Sequence, residues 1–528
     1  MAAPRFARGL ALSPDGTRLA LLAPDRDGRV VLWVRPLDAL TAQPLAGTEG
    51  ASSPFWSSDG RHLAFVADRK LKRIDTSGGP ALTLYDGADL YSTGTWNRDD
   101  VILFAILRIR AAGGAASPIT SPDSGHAHNA PFFLPDGRRF LYSVTGSAGI
   151  VGRAVHVGAL DSNERTKVRD GGSLPVYADG FLLFVQDDTL MAQRFDADRR
   201  ELTGEVIPLA DQLQVGGGPL GRGAYAVSQS GVLAYQASVN QKSALVWLDP
   251  NGKELGILSE PRGFGYPQLS PDERHVAVSL RDETSRNRDL WLYDTTRRVP
   301  TRFTDEPSDD FAAIWSPNGD RLVFARPGDS GLDLYEKAST GVSGERRLLD
   351  RVGHEIPTSW SFDGRFILFQ TQSPGADIWI VSLADSSLRP FANTRFSETS
   401  AQFSPDGRWV AYSSDETGQP EVYVAPFGRT GSRVPISTDG GGSPRWRHDG
   451  KELFYIRNGS TLMAVEIRAG QTSIDVAAAR PLFQTQFRSG GVPYVVTSDR
   501  RFLVNRAVDD ATPSPITLVV NWPATLSK

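Results

Sequence analysis

The chain of 528 residues contains no cysteine, which excludes disulfide bonds, thiolate metal sites and cysteine nucleophiles. It also lacks any run of 18 apolar residues, and the residues that follow Met1 do not form the apolar core of a signal peptide. We therefore expect a soluble chain that carries no export signal and does not insert into a membrane. The net charge of −4, without a long run of like charge, argues against a nucleic-acid partner. No cofactor is expected.

What the chain has is a repeat. An SPDG-like turn recurs twelve times at steps of 37 to 51 residues, as in LALSPDGTRLALL from Leu10 and QFSPDGRWVAYS from Gln402. A period near 44 residues is typical of one four-stranded propeller blade, and no helical periodicity is visible. The third residue of each turn marks the repeats: Asp15, Asp59, Asp99, Asp136, Asp179, Ser230, Asp272, Asn318, Asp363, Asp406, Asp449 and Asp499.

The residues around each turn support this interpretation. Ser, Pro and Gly at the first, second and fourth positions suit a type I turn between two strands. Three residues before the marker the side chain is always apolar, and at Trp56, Trp96, Trp315, Trp360 and Trp446 it is a tryptophan. We interpret these tryptophans as packing between blades rather than as a ligand platform.

Twelve blades divide most naturally into two rings of six, because propellers usually close with four to eight blades. The sequence therefore predicts an all-β fold of two tandem six-bladed β-propellers, at residues 1–240 and 241–528. The hairpin SALVWLDPNGKELGIL from Ser243 could finish the sixth blade or close the second ring. The strand ITLVVNW from Ile516 is expected in the last blade.

Several longer phrases resemble a known family. They are the segments that begin RPLDALTAQPLAG at Arg35, TWNRDDVILF at Thr95, LTGEVIPLADQ at Leu202 and WRHDGKELFYI at Trp446, and the run from Gly407 to Pro426. They are similar to the paired TolB-like (PD40, WD40-like) propellers of bacteria, especially those at the C-terminus of bacterial eukaryote-like serine/threonine protein kinases. The resemblance covers essentially the whole chain. It implies a sensing or protein-binding module, extracytoplasmic if attached to a membrane-spanning kinase and cytoplasmic if made as given.

The catalytic motifs of related enzymes are missing. The sequence has no HRD, DFG or APE motif and no glycine-rich loop followed by a strand lysine, so this chain does not transfer phosphoryl groups. No serine has glycine both two residues before and two residues after it, which excludes the nucleophile elbow of an α/β-hydrolase. Hydrolysis or lysis by paired carboxylates in the second propeller remains an alternative.

Two further local features carry expectations. Glu273 replaces the turn glycine in blade 7, so we expect that turn to be distorted. His126 and His128, in DSGHAHNAP, would point the same way on an extended strand and are weak candidates for metal ligands, although such pairs are usually polar loop residues.

The sharpest site hypothesis comes from the position eight residues before the marker, at the start of the innermost strand. Asp310, Glu355 and Glu398 occupy it in blades 8, 9 and 10, and Asp309 and His354 stand one residue before the first two. Equivalent positions in a ring face the same end, so these residues should form an acidic arc on the rim of the second propeller. Such an arc would favour a cationic protein or peptide partner, although loop acids are common and often merely solvated.

Two classes of function follow. The favoured one is a non-catalytic module that binds or senses a partner with loops on rigid blades. The other is a propeller hydrolase or lyase, which would need carboxyl groups of strongly raised pKa beside a deep pocket.

Overall fold

The structure is a computed structural model. It describes residues 9–27, 29–88, 92–122, 126–146, 154–186, 189–211, 213, 215–216, 222–237, 242–282, 287–328, 331–342, 344–349, 353–371, 376–428, 431–470, 473–488, 491–508 and 515–526. The chain forms two compact units. Unit 1 is Met1–Val239 with Asp510–Lys528, and unit 2 is Asn240–Asp509.

The described part of unit 1 contains six antiparallel sheets, which we number blades 1 to 6. Their strands, in sheet order, are Leu10–Leu12, Arg18–Pro24, Val30–Pro36 and Gln43–Pro44 (blade 1); Ser52–Trp56, His62–Ala67, Lys70–Asp75 and Leu82–Asp86 (blade 2); Gly94–Trp96, Val101–Phe104, Leu107–Arg110 and Ser117–Pro118 (blade 3); His126–Phe133, Arg139–Gly146, Ala154–Ala159 and Ser162–Asp170 (blade 4); Ser173–Ala178, Phe181–Gln186, Thr189–Asp196 and Glu201–Ala210 (blade 5); and Tyr225–Val227, Val232–Gln236 and Ile516–Val520 (blade 6). A short ribbon pairs Val215–Gly216 with Arg222–Gly223.

Unit 1 closes with the C-terminal end of the chain. Ile516–Val520 pairs antiparallel with Val232–Gln236, and Trp522 in the following 3₁₀ helix, Trp522–Leu526, packs edge-on against Phe181 of blade 5. The expectation that this strand lies in the last blade is therefore wrong. Its hydrogen bonds complete blade 6 at the edge of Val232–Gln236, and the order of the strands in the sequence does not indicate that pairing.

The described part of unit 2 contains six further sheets, blades 7 to 12. Their strands are Phe264–Leu269, His275–Arg281, Arg288–Asp294 and Pro300–Arg302 (blade 7); Phe311–Trp315, Arg321–Pro327, Gly331–Ala338, Arg346–Leu349 and Gly353–His354 (blade 8); Ile356–Trp360, Phe366–Gln370, Ile378–Ser382 and Leu388–Ala392 (blade 9); Glu398–Phe403, Trp409–Ser414, Glu421–Pro426 and Val434–Pro435 (blade 10); Gly442–Trp446, Glu452–Arg457, Thr461–Ala469, Ile474–Val476 and Arg480–Gln484 (blade 11); and Tyr494–Val496, Phe502–Ala507, Ser243–Leu248 and Glu254–Arg262 (blade 12).

Blade 12 combines the two ends of unit 2. The hairpin of Ser243–Leu248 and Glu254–Arg262 pairs with Phe502–Ala507, so it closes the second ring and does not finish blade 6. The first strands of blades 7 to 12 contact one another in succession, and the last contacts the first. Unit 2 is therefore a closed ring of six blades in the part of the chain that the structure describes.

The SPDG-like turns lie where each first strand ends. In blade 2 the Ser57 hydroxyl donates to Asp59 at 2.6 Å and accepts the amide of His62 at 2.9 Å. The serine bond is the main cause that lowers the pKa of Asp59, and Ser270 does the same for Asp272 in blade 7. The repeated Ser and Asp therefore satisfy the turn internally, which explains why the motif recurs.

The tryptophan that precedes three of these turns connects neighbouring blades. The indole nitrogens of Trp56, Trp315 and Trp446 donate to the backbone oxygens of Ala11, Gln268 and Gln402, at 2.9, 3.2 and 3.3 Å. Each acceptor belongs to the first strand of the preceding blade. These contacts support the interpretation of these residues as packing between blades.

Within the described residues, no helix has the length and apolar character needed to cross a membrane.

Candidate functional site

The two ends of the second propeller differ in chemistry. We call the end where the first strands begin the upper end, and the end with the SPDG-like turns the lower end. Asp310 and Glu355 directly precede the first strands of blades 8 and 9, and Glu398 begins that of blade 10. Their amides donate to Arg288, Leu332 and Ala376, which lie at the start of the third strand of the preceding blade. The three residues thus occupy equivalent places at the upper end.

Asp310 is engaged inside its own blade. Its carboxylate is fully buried and accepts two bonds from Arg326, at 2.6 and 2.8 Å. Arg326 also pairs with Glu345, whose second oxygen lies 3.2 Å from Lys337. Burial raises the pKa of Asp310, and the Arg326 bonds offset part of that effect. Asp310 therefore forms a buried ion pair with Arg326 and does not belong to a solvent-exposed rim.

The remaining predicted rim residues differ from one another. Asp309 is half-buried and accepts the amide of Arg288 at 2.8 Å. His354 lies in the short strand Gly353–His354, which pairs in parallel with the third strand of blade 8. Glu355 is fully buried. The carboxylates of Asp310, Glu355 and Glu398 are at most 1% exposed, so they do not form the open arc expected from the sequence.

A second set of acids lies at the same end and was missed in the sequence. The third strands of blades 7 to 10 begin with or near an acid, and the four are spaced by 44 residues: Asp289, Asp333, Asp377 and Glu421. This regular step was the signal that could have found them. Asp289 pairs with Arg302 at 2.7 Å and Asp333 with Arg347 at 2.7 Å. Glu421 accepts the amide of Gly440 at 2.8 Å and the hydroxyl of Ser437.

The junction of blades 9 and 10 is different. Asp377, Glu398 and Asp415, which we call the acidic junction, take part in no ion pair among the described residues. Glu398 accepts the hydroxyl of Thr394, and Asp415 accepts the amide of Ser397 at 2.8 Å. Asp377 and Asp415 are half-buried and so are partly accessible to solvent, whereas Glu398 is 1% exposed.

The pKa values of two of these acids reflect burial and, for Glu398, the neighbouring negative charges. Burial raises the pKa of Glu398, and the negative charges of Asp377 and Asp415 raise it further, against the bonds from Thr394. Burial also raises the pKa of Asp377. Burial and like charge both disfavour the ionised carboxylates, and an added cation would relieve both effects. The acidic junction is therefore the part of the upper end that is best suited to receive a positive group.

The described residues do not include three His, Cys, Asp or Glu side chains placed to hold a metal ion.

The histidine pair lies in blade 4. His126 and His128 both belong to the first strand, His126–Phe133, two residues apart. His128 is buried, and the centre of its ring lies 5.0 Å from that of Tyr142. The centre of the Tyr142 ring lies 5.6 Å from that of His156 on the third strand. The side chain of His126 lies outside the described part of the structure, and no metal-binding group among the described residues includes His128. His128 is a core side chain in a row of rings across the blade.

The turn of blade 7 is not distorted. Glu273 adopts a φ of 60°, and its amide donates to Ser270 at 2.9 Å, as Gly407 does to Ser404 at 2.8 Å with a φ of 68°. Glu273 thus takes the left-handed conformation of the glycine that it replaces. The expected distortion was wrong because the turn's hydrogen bonds outweigh the cost of this conformation.

Comparison with known proteins supports this architecture. Residues 343–485 match the family model of the TolB beta propeller domain. An uncharacterised protein of Agrobacterium fabrum is 29% identical over 204 residues, which is 36% of this chain and 68% of that protein. A TolB homologue of Chlorobium luteolum is 29% identical over 115 residues, 21% of this chain and 26% of that protein. An uncharacterised peptidase of Bacillus subtilis is 24% identical over 165 residues, 30% of this chain and 24% of that protein.

Solved structures are similar at lower identity. The putative TolB from Agrobacterium tumefaciens is 16% identical, with a TM-score of 0.42 that covers 51% of this chain and 98% of that one. An oligogalacturonate lyase in complex with manganese is 12% identical, with a TM-score of 0.23, covering 80% of this chain and 90% of that one. On the repeats and the four-stranded antiparallel blades, the chain has an all-β propeller fold, and its residues 343–485 are similar to the TolB beta propeller domain.

Proposed function

We propose that this chain is a non-catalytic binding and sensing module, and that the acidic junction of its second propeller recognises a cationic side chain of a protein or peptide partner. The observation that carries the proposal is the contrast within one end of the ring. Asp289, Asp310 and Asp333 of blades 7 and 8 are paired with arginine. Asp377, Glu398 and Asp415 take part in no ion pair among the described residues, and the charges of the two aspartates help to raise the pKa of Glu398.

The scaffold favours recognition over chemistry. The three acids stand on or beside strands of two adjacent blades. The strands beside Asp377 and Asp415 are paired on both sides, and the strand that begins with Glu398 is paired on one side. A rigid support keeps the carboxylates in place before the partner arrives, which lowers the ordering cost of binding. The TolB homologue and the putative TolB among the similar proteins are consistent with a binding role.

The wider context is also part of the proposal. The sequence resemblance places such propeller pairs in the extracytoplasmic part of bacterial serine/threonine kinases. We infer that this chain, or a longer protein that contains it, relays the presence of its partner in that setting. Reading the complete transcript that encodes these residues tests this inference: a kinase domain in the same frame supports it, and a frame without one contradicts it.

Binding is measured by fluorescence anisotropy with three labelled heptapeptide pools, rich in Lys and Arg, neutral, or rich in Asp and Glu. We expect the full chain to bind the cationic pool best. Glu398→Gln keeps the shape of the side chain and removes its charge, and should weaken that binding about tenfold, equivalent to about 1.4 kcal/mol. The control is Asp475→Asn, which removes an exposed acid from the fourth-strand region of blade 11. Equal affinity for all three pools, or equal loss in both variants, contradicts the proposal.

Binding should also depend on pH. The ionised carboxylates attract the cation, and the pKa values of Glu398 and Asp377 are raised above 4.5 and 3.8. As the pH falls through these raised values, the acidic junction loses charge and affinity drops, starting above the range of an ordinary carboxylate. Affinity that is constant down to about pH 4 would be inconsistent with recognition by these groups.

The alternative is a hydrolase or lyase. One observation favours it: Glu398, with a raised pKa beside two other acids, has the features of a general acid next to an ionised partner. A screen of polysaccharide and peptide substrates distinguishes the two functions. Turnover by the parent that Glu398→Gln abolishes would establish the enzyme, and peptide binding without turnover supports the module.

A further inference from the structure

The lower end of the second propeller carries a cavity of different character. It has a volume of about 680 Å³ and lies around blade 11, between the turns of blades 10 and 12. Its wall includes Arg447, Arg480 and Arg500, with Lys451 and Arg468 beside them. Each of these five residues belongs to unit 2, and none takes part in the acidic junction. The cavity is therefore distinct from the acidic junction.

A buried glutamate organises three of the arginines. Glu452 is 5% exposed, and its oxygens lie 3.2 Å from Arg447 Nη1, 3.1 Å from Arg480 Nη2 and 3.0 Å from Arg500 Nε. Arg447 also lies 3.6 Å from Asp449, so these three positive charges face two negative charges. Over the whole lining, six basic and four acidic side chains leave a formal charge of +2. A guanidinium has five N–H donors, and the two oxygens of Glu452 accept only part of the donors of three such groups. The cluster retains positive charge and donors that an anion could use.

Arg500 lies in the turn of blade 12, at the cavity wall. It occupies the turn position that is glycine in most blades and adopts a φ of 66°, as Glu273 does at 60° in blade 7. Its amide donates to the backbone oxygen of Thr497 at 3.1 Å, so the turn itself holds this conformation. The turn thus fixes the base of the Arg500 side chain beside Glu452.

Blade 8 provides an internal comparison. Glu336 is also buried, and it pairs with Arg321 at 3.1 Å and Arg346 at 2.8 Å. The other buried carboxylates with arginine partners in the described part of this ring take one arginine, as Asp289 and Asp333 do, or two, as Glu336 does. Glu452 contacts three arginines, one more than Glu336 contacts in blade 8.

We propose that this cavity binds the dianionic phosphate of a phosphate monoester through Arg447, Arg480 and Arg500. A phosphate dianion matches the excess charge, and its tetrahedral oxygens accept paired N–H donors from several guanidinium groups at once. Glu452 holds the three side chains in place before the ligand arrives. The proposal is independent of the cationic partner at the upper end, because the two sites share no residue and take ligands of opposite charge.

The test is isothermal titration calorimetry of the full chain with glycerol 3-phosphate at constant ionic strength. We expect saturable binding by the parent and at least tenfold weaker binding by Arg480→Gln. The matched control is Arg346→Gln, which removes an arginine from the buried Glu336 of blade 8 and should change the affinity less than twofold. Urea unfolding of each variant verifies that it folds.

Two further arms define the ligand. Because the second pKa of a phosphate monoester is about 6, binding at pH 5.5 should be about fourfold weaker than at pH 7.5. Co-sedimentation with phosphatidic acid vesicles, against phosphatidylcholine vesicles, distinguishes a lipid headgroup from a soluble monoester. Binding of either phosphate source that depends on Arg480 supports the site, and the tighter one identifies the source. Absence of saturable binding to both, or an equal loss in the Arg346 variant, overturns the proposal.

Discussion

Removal of Arg326 is the sharpest test of how the upper end of the second propeller is built. Asp310 is fully buried, and Arg326 supplies two of its hydrogen bonds, at 2.6 and 2.8 Å. Arg326→Met leaves that carboxylate inside the blade without its cation. Loss of one partner of a buried pair typically costs about 3–5 kcal/mol, because the remaining charge is neither hydrated nor paired.

The double variant Asp310→Leu with Arg326→Met distinguishes the cost of an unpaired buried charge from the cost of losing the two side chains. It removes both charges, so we expect stability within about 1 kcal/mol of the parent or above it. The pH gives a second signature. The pKa of Asp310 is already raised by burial, and without Arg326 it rises further. The carboxyl then takes up a proton more easily, and the cost of Arg326→Met should shrink as the pH falls toward 4.

The assay is hydrogen exchange of the strands Phe311–Trp315 and Arg321–Pro327, read by mass spectrometry. A loss of about 3–5 kcal/mol corresponds to exchange roughly 10² to 10³ times faster or more. Arg346→Met is the control. Its side chain is 67% exposed, and its partner Glu336 keeps Arg321, so the cost should stay below about 1 kcal/mol. If Arg326→Met costs no more than Arg346→Met, Asp310 is hydrated and the description of this end is wrong.

Three other predictions concern charge, packing and backbone. Burial raises the pKa of Asp377, so its carboxyl contributes stability that is present below pH 3.8 and is lost as the pH rises through the raised value. Asp377→Asn should therefore unfold at a higher urea concentration than the parent at pH 7. At pH 3.5 the two proteins should unfold at the same urea concentration. Trp446→Ala should cost about 3–5 kcal/mol in urea unfolding, since the side chain is 6% exposed between blades 10 and 11, and a cost below 1 kcal/mol would contradict that packing. Gly407→Ala should cost about 1 kcal/mol through its φ of 68° alone, because no atom lies within 4 Å of an added Cβ. An unchanged or increased stability in thermal unfolding would refute the backbone argument.

The fold was largely predictable because each blade repeats its own local chemistry. The serine and aspartate of the turn bond to each other within two residues, as Ser404 and Asp406 do at 2.6 Å. Such local bonds leave a pattern that one sequence displays. The place of Ile516–Val520 was not predictable, since a strand far along the chain pairs with the free edge of Val232–Gln236 in blade 6.

The candidate site was predictable only in part. Counting from the turn placed Asp310, Glu355 and Glu398 at one end of the ring, where the structure has them. Counting did not show that Arg326 turns Asp310 into an internal pair, because the partner lies 16 residues away on another strand. Asp415 was missed for a similar reason: it lies in the loop after a second strand, outside the position that was compared.

The central claim, that the acidic junction receives the cationic partner, is tested most directly by hydrogen exchange with and without a saturating cationic peptide. The account predicts slower exchange in Ile378–Ser382, Glu398–Phe403 and the residues around Asp415, and no change in Thr461–Ala469 of blade 11. Protection confined to other blades, or the same protection in Glu398→Gln as in the parent, would contradict it.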